Sequence, residues 1–266
     1  MSLRATDRSI DTVFITGGSS GIGLGIAQSF LEAGYAVGLF GRSRDRLEQA
    51  RDQLSFASDR VEIYAGDVRN KQELFEAVSN FGQVWGGLGA VVAAAGLNRR
   101  FPAESFPEDI LHAIITTNVY GSLFLAQAAF PQFIKQRDGS VIFLVSLMAH
   151  TATKYSIGYA VSKSAVRHMT EVLALEWAEY GLRVNGISPG YVETPMTAQA
   201  LSDPAFRHMI LERTPGHRLI EPKEIGSVAV FLAQPGSRSI TGQVIAVDRG
   251  FLTGDPRLVI GDKPPE

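Results

Sequence analysis

The chain has 266 residues, 45% of them apolar, with 27 glycines, a formal net charge of −2 and no cysteine. That length fits one α/β domain or at most two small ones, and the apolar share supports a sizeable core. The balanced charge gives no global attraction to nucleic acid or an anionic membrane, and the missing cysteines exclude disulfides, thiolate nucleophiles and Cys-held metals.

The polar start MSLRATDRSI lacks the apolar core of a signal peptide, and no apolar run approaches a membrane span, so a soluble cytoplasmic protein is expected. Strands are expected at 12–16, 35–40, 61–65, 88–96, 140–146, 183–188 and 243–247, and helices at 22–33, 44–54, 71–80, 107–136, 157–180 and 222–233. Near-continuous apolar strands alternating with helices predict a single doubly wound α/β domain: a parallel seven-stranded sheet with helices on both faces. Residues 190–221, rich in Pro, Thr and His, break the alternation and read as a long loop or lid. The tail 248–266 carries an apolar patch, RLVI, expected to dock, and an end, KPPE, expected to fray.

The first strand runs into TGGSSGIG (16–23) and then a helix beginning near Ile22. Gly17, Gly21 and Gly23 permit a tight turn, close approach of a ligand and close helix–strand packing, while Ser19 and Ser20 add hydroxyl donors. The free N–H groups of such a helix start face a pyrophosphate in dinucleotide sites; an ordinary glycine-rich turn is the other reading. At the end of the second strand, LFGRSRDR has no carboxylate for a ribose 2′-hydroxyl. Arg42, Arg44 and Arg46 open the next helix against its dipole, where Asp45 and Glu48 could neutralise part of that cost on a plain solvated face. A cation in place of the carboxylate favours NADP(H), with NAD(H) as second choice. Asp67, in AGDV, is placed either to accept from the adenine amino group or to cap the helix starting near Asn70.

Among the seven tyrosines, Tyr159 alone has a lysine four positions on, Lys163. On a helix the two share a face, either as a surface pair or as an ammonium that lowers the phenol's pKa and makes it an acid or base. Ser146 closes the strand 140–146 at the carboxyl edge of the sheet, where a hydroxyl could hold a substrate oxygen. Asn118 sits inside the helical segment 107–136, an indifferent place for Asn unless it finds buried partners, a water joined to the lysine being one candidate.

With TGxxxGxG (16–23), Asp67-Val68, Asn118, Ser146, Tyr159-x-x-x-Lys163, Pro189-Gly190 with Thr194, and the late strand SITGQVIAVD in order, the chain resembles the short-chain dehydrogenases/reductases from Thr12 to about Gly250. It is similar in particular to 3-oxoacyl carrier-protein reductases and sugar or polyol dehydrogenases. The resemblance implies a Rossmann fold and a tetrad of Asn118, Ser146, Tyr159 and Lys163. In that picture Tyr159 is the acid/base, Ser146 orients substrate, Lys163 also bonds the nicotinamide ribose, and Asn118 anchors a proton-relay water. It further implies cofactor contacts from the glycine turn including Ile22, from Arg42 and Ser43, from Asp67 and Val68, from Ala94, Ala95 and Gly96, from Tyr159 and Lys163, and from Pro189, Gly190, Val192 and Thr194. Gly-Arg after the second strand goes with NADP(H) in the family. Three departures stand out: Ala93-Ala94-Ala95-Gly96 in place of Asn-Asn-Ala-Gly, Leu147 where a second Ser is common, and Asp248-Arg249-Gly250 in place of Asp-Gly-Gly.

Family geometry lines the substrate pocket with Met148, His150, Thr153, Tyr155 and Tyr191, and with Leu97, Asn98 and Arg99, a mixture suited to a small hydroxylated or keto compound. His208 and His217 read as solvated, and no His or carboxylate spacing suggests a metal. Hydride transfer between NADP(H) and a carbonyl or secondary alcohol is the leading expectation; a cofactor-sensing binding protein without chemistry is the alternative. The wider Tyr–Lys spacing of enoyl reductases is not the spacing here. Apolar residues on several faces of the helical segments 107–136 and 157–180 favour burial against another copy, and the resemblance implies a homotetramer, or a homodimer.

Overall fold

The structure, a computed structural model, describes residues 11–258. The expectations placed on the opening decapeptide and on KPPE fall outside those residues. So does half of the RLVI patch; of its described half, Leu258 is exposed instead of docked.

One sheet of seven parallel strands forms the centre: β1 (Thr12–Thr16), β2 (Ala36–Gly41), β3 (Val61–Ala65), β4 (Ala90–Ala93), β5 (Ser140–Leu144), β6 (Arg183–Pro189) and β7 (Val244–Val247), in the order β3-β2-β1-β4-β5-β6-β7. The order reverses between β1 and β4, and ligands of such sheets bind at that switch point, beyond the carboxyl ends of the strands. Side chains alternate across the strands. Val13, Ile15, Val37, Leu39, Val92, Ile142 and Ile187 point into one core, under helices α1 (Gly21–Glu32), α2 (Arg44–Gln53) and α9 (Pro222–Ala233). Phe14, Phe40, Val91, Val141, Phe143 and Val184 point into the other, under α3 (Lys71–Val84), α5 (Gly121–Gln136) and α6 (Ile157–Trp177). Burial on both faces is why the strands read as apolar runs.

Helices α1 and α9 cross where neither carries a side chain: a Cβ on Gly25 would strike Pro222, and one on Gly226 would strike Ser29. The hydroxyl of Ser29 turns inward to the Gly25 carbonyl at 3.0 Å, so the closest contact is nearly backbone on backbone.

The expected helix 107–136 is two helices, α4 (Glu108–Ile115) and α5, joined by a π-helical turn at Thr116–Tyr120. The turn adds one residue to the repeat, with the Gly121 N–H reaching the Thr116 carbonyl five residues back, and Asn118 sits in its middle. By length and composition this run could cross a membrane, contrary to the sequence expectation; here part of its apolar side chains, Ile114, Leu125, Ala129 and Phe133 among them, is buried inside the protein.

Segment 190–221 is not a plain loop. It contains α7 (Ala198–Leu201) and α8 (Pro204–Arg213). The Asp203 carboxylate caps α8 by accepting from the Ala205 N–H at 2.9 Å, and Pro204 fits the first turn, where no N–H is needed. Of the ten residues of α8 only Ile210 is buried, so there is no apolar period to read.

Candidate active site

The dinucleotide-type turn leaves β1 at Thr16. Gly17 takes φ +69°, and a Cβ there would come within 2.7 Å of the Ala95 backbone N. Helix α1 begins at Gly21, one residue before the expected start, with Ser20 extended at its N-cap. The Ser20 side chain makes no capping bond and the first turn holds no acid, so the free N–H groups and the positive dipole end are open to an anion. Beside this turn lies a cleft of about 380 Å³. A backbone-lined trough ending at an uncapped helix start fits a pyrophosphate.

The cleft walls include Gly17, Ser19, Ser20, Gly21, Ile22 and Gly23 from the turn, Arg42 and Ser43 after β2, Asp67 and Val68 after β3, Ala94, Ala95 and Gly96 after β4, and Thr194. The expected contacts Tyr159, Lys163, Pro189, Gly190 and Val192 are not among its walls. Gly190 is tied to β7 through the Val247 carbonyl and Val192 is buried, bridging to Ile220. The walls also include Gly41, Gly66, Arg69, Thr117, Pro195 and Met196, none of them expected as contacts, and Arg46, which the sequence offered only as one of three arginines after the second strand. Arg46 lies in the first turn of α2, whereas Arg42 precedes the N-cap Ser43; Met196 has no signal in the sequence.

The electrostatics around the far end of the cleft differ in part from the sequence reading. Arg44 is paired with Glu48 at 3.2 Å and belongs to the solvated face. Ser43 caps α2, its hydroxyl accepting from the Arg46 N–H at 3.3 Å. Asp67 caps nothing: Asn70 caps α3, accepting from Gln72 and Glu73. The Asp67 carboxylate is held by Arg69, Nη2 to Oδ2 at 2.6 Å, and these bonds keep its pKa below the usual carboxylate range.

Beyond β5, whose last residue is Leu144, the chain turns through a short 3₁₀ segment at Leu147–Ala149. Ser146 therefore stands two residues past the strand, nearly buried, its Oγ accepting from the Met148 N–H at 3.1 Å. Its hydroxyl also acts on the Tyr159 phenol, favouring the ionised form. Tyr159 and Lys163 lie on the first turns of α6, with the ammonium 5.8 Å from the centre of the phenol ring. The expected lowering of the phenol pKa is reversed here: burial raises it, and the Ser146 hydroxyl opposes burial. Lys163 is itself buried, which lowers its pKa to about 8, and Nζ donates to the Leu144 carbonyl at 2.5 Å rather than to the phenol.

Three of the four hydrogen-bonding positions of the fully buried Asn118 side chain are taken within the protein. Nδ2 donates to the Leu97 carbonyl at 3.0 Å and to Ser162 Oγ at 2.9 Å, and Oδ1 accepts from the Leu97 N–H at 2.7 Å. Its main-chain carbonyl accepts from Ser122 Oγ at 2.7 Å.

Of the expected substrate contacts, Met148 is buried and packs in a small cluster with Tyr159 and Tyr191. His150 is engaged as a brace: Nε2 meets Ser188 Oγ at 2.8 Å, and that hydroxyl lies 3.3 Å from the Ser146 carbonyl. Tyr155 is exposed in a left-handed conformation, φ +64°, and lines neither cavity. Tyr191 lines a second cavity, with Thr153. Leu97 belongs to the dinucleotide cleft, whereas Asn98 and Arg99 line neither cavity.

A family profile described as enoyl-(acyl carrier protein) reductase matches residues 17–252. The sorbose reductase of Schizosaccharomyces pombe is 36% identical over 247 residues, covering 91% of this chain and 96% of that protein. The 5-keto-D-gluconate 5-reductase of Escherichia coli K12 is 30% identical, covering 90% and 94%. Among solved structures, a gluconate 5-dehydrogenase from Burkholderia cenocepacia in complex with NADP and tartrate superposes with a TM-score of 0.87 at 30% identity, covering 94% of this chain and 97% of that one.

Proposed function

The chain belongs to the short-chain dehydrogenase/reductase family of NAD(P)-dependent oxidoreductases, and from that premise we propose that it interconverts a small hydroxylated ketone and its secondary alcohol using NADP(H) in preference to NAD(H). The bound dinucleotide supplies or accepts the hydride. The free N–H groups of α1 would hold its pyrophosphate, and Arg42 and Arg46 would take its 2′-phosphate. Binding of NADP by the Burkholderia neighbour supports the same choice.

Tyr159 is the general acid toward the carbonyl and the general base toward the alcohol. Burial keeps the proton on its oxygen at neutral pH, as the reductive direction needs. Two groups work against burial when that proton leaves: the Ser146 hydroxyl acting on the phenol, and the Lys163 charge over the ring. Ser146 also holds the substrate oxygen. Asn118 acts through Leu97, whose backbone it fixes at the edge of the cleft. The four-residue Tyr–Lys spacing supports a carbonyl substrate over an enoyl one. Substrates named for the relatives, a neutral ketose and a keto acid of a sugar, are both hydroxylated ketones.

The observation that carries this reading is Lys163 over the ring of Tyr159, 5.8 Å from its centre, with the Ser146 hydroxyl acting on the phenol just past the carboxyl edge of β5. Changing Tyr159→Phe is expected to leave NADPH binding intact and to lower turnover of a ketose or keto acid by roughly 10²–10⁴-fold. Unchanged turnover rejects Tyr159 as the acid/base. We further propose a homotetramer. Exposed Tyr120 and Ile134 on or beside α5, and Val161, Val172 and Leu175 on α6, give these helices an apolar outer face. Light scattering at the mass of one chain would remove that assignment.

A further inference from the structure

The second cavity, about 190 Å³, shares no wall residue with the dinucleotide cleft. By volume it has room for roughly six waters, the size of a small molecule. Its polar walls are Thr151 and Thr153, on the stretch between Ser146 and Tyr159, with Tyr191, Arg213 and Arg257; among the described residues that line it none is acidic. Tyr159 packs in one apolar cluster with Tyr191, Phe206 and Phe251, three of the cavity's walls. Tyr159 is not itself a wall, but the cavity borders the cluster in which its ring packs.

Arg213 is its distinctive group. The guanidinium stacks over Phe251, 4.3 Å from the ring centre, and Nε is buried with no hydrogen-bond partner among the described residues. The nearby acids are engaged elsewhere: Asp255 gives both carboxylate oxygens to Arg257, at 2.8 and 2.5 Å, and Glu212 also acts on Arg257. Arg213 does act on Asp255, but at longer range. A second cation, Arg100, lies 5.8 Å from the Phe206 ring, and the charges of Arg100 and Arg213 both bear on the Tyr191 hydroxyl. A buried guanidinium N–H without an acceptor is destabilising, and its planar fork matches a carboxylate or phosphate better than any neutral group.

We propose that this cavity holds the end of the substrate remote from the reacting carbon, and that Arg213 binds a terminal oxyanion there, carboxylate or phosphate, while Thr151, Thr153 and Tyr191 take hydroxyls. The protein then selects an acidic sugar derivative over its neutral counterpart. The proposal rests on Tyr159 marking the reacting centre, but its test does not depend on turnover. With NADP⁺ saturating, binding of D-gluconate, sorbitol 6-phosphate and neutral sorbitol is measured by calorimetry in wild type and in Arg213→Gln and Arg213→Lys. At least one of the two anions is expected to bind roughly ten- to a hundredfold tighter than sorbitol. Arg213→Gln erases that difference, Arg213→Lys keeps part of it, and NADP⁺ and sorbitol affinities stay at wild-type values. Whichever anion binds identifies the head group. If neither anion outbinds sorbitol, or if Arg213→Gln weakens sorbitol equally, the proposal is overturned. Tyr159→Phe separates the two claims: anion binding should survive it, so active Tyr159→Phe protein with Arg213-dependent binding would sink the catalytic reading alone.

Discussion

Replacing Asn118 by leucine separates a bracing role from a relay role. The side chain is fully buried and makes three hydrogen bonds, two with the backbone of Leu97 and one with Ser162. Leucine has similar bulk but returns none of them, leaving the Leu97 N–H and carbonyl without partners at a part-buried position. At about 1 kcal/mol for each bond lost, with some added penalty for the orphaned groups, the cost is roughly 2–4 kcal/mol. For a chain of this size that is a fall in the unfolding midpoint of roughly 5–12 °C. Leu97 lines the dinucleotide cleft, so its release should also weaken NADPH binding, by about tenfold. Circular dichroism melts at fixed protein concentration and NADPH fluorescence titration read the two effects. A variant that melts within 2 °C of wild type and binds NADPH normally, yet turns over slowly, would refute the bracing role.

Removing the cations at the end of β2, as Arg42→Ala with Arg46→Ala, is expected to weaken NADPH by roughly ten- to a hundredfold and NADH little; equal losses in separate titrations would show that neither side chain meets the 2′-phosphate. Stability should also carry a signature of Lys163. Its folded pKa, about 8, lies below the ordinary lysine value, so between these limits the unfolded chain binds more protons and stability rises with pH. Below about pH 8 the lysine is charged in both states, and the burial penalty is felt in full. Urea midpoints from pH 7.5 to 10 should climb less steeply in Lys163→Met than in wild type; parallel profiles would mean that the buried amine does not titrate there.

What the sequence made legible was whatever repeats or alternates. Strands TVFIT and VEIYA and the helix 222–233 fall where apolar runs and periods put them. The ordered motifs brought Ser146, Tyr159 and Lys163 together because spacing along a helix and position past a strand are local properties. The π turn at Thr116–Tyr120 was invisible, since one extra residue in a helix leaves no mark on composition. Helix α8 was missed because it buries little and announces itself only by Asp203-Pro204. Proton affinities were the least legible. Adjacency of Lys163 suggested a more acidic phenol, but burial depends on everything packed around α6, and burial prevails.

The bare crossing of α1 and α9 bears on how the cofactor end behaves. With Gly25 facing Pro222 and Gly226 facing Ser29, no flexible side chain cushions the joint, so α1 cannot slide or tilt without main-chain overlap. The same helix offers its amino end to the cofactor phosphates, which makes that end an anvil: stiff, and intolerant of even one added methyl a turn further along, at Gly25.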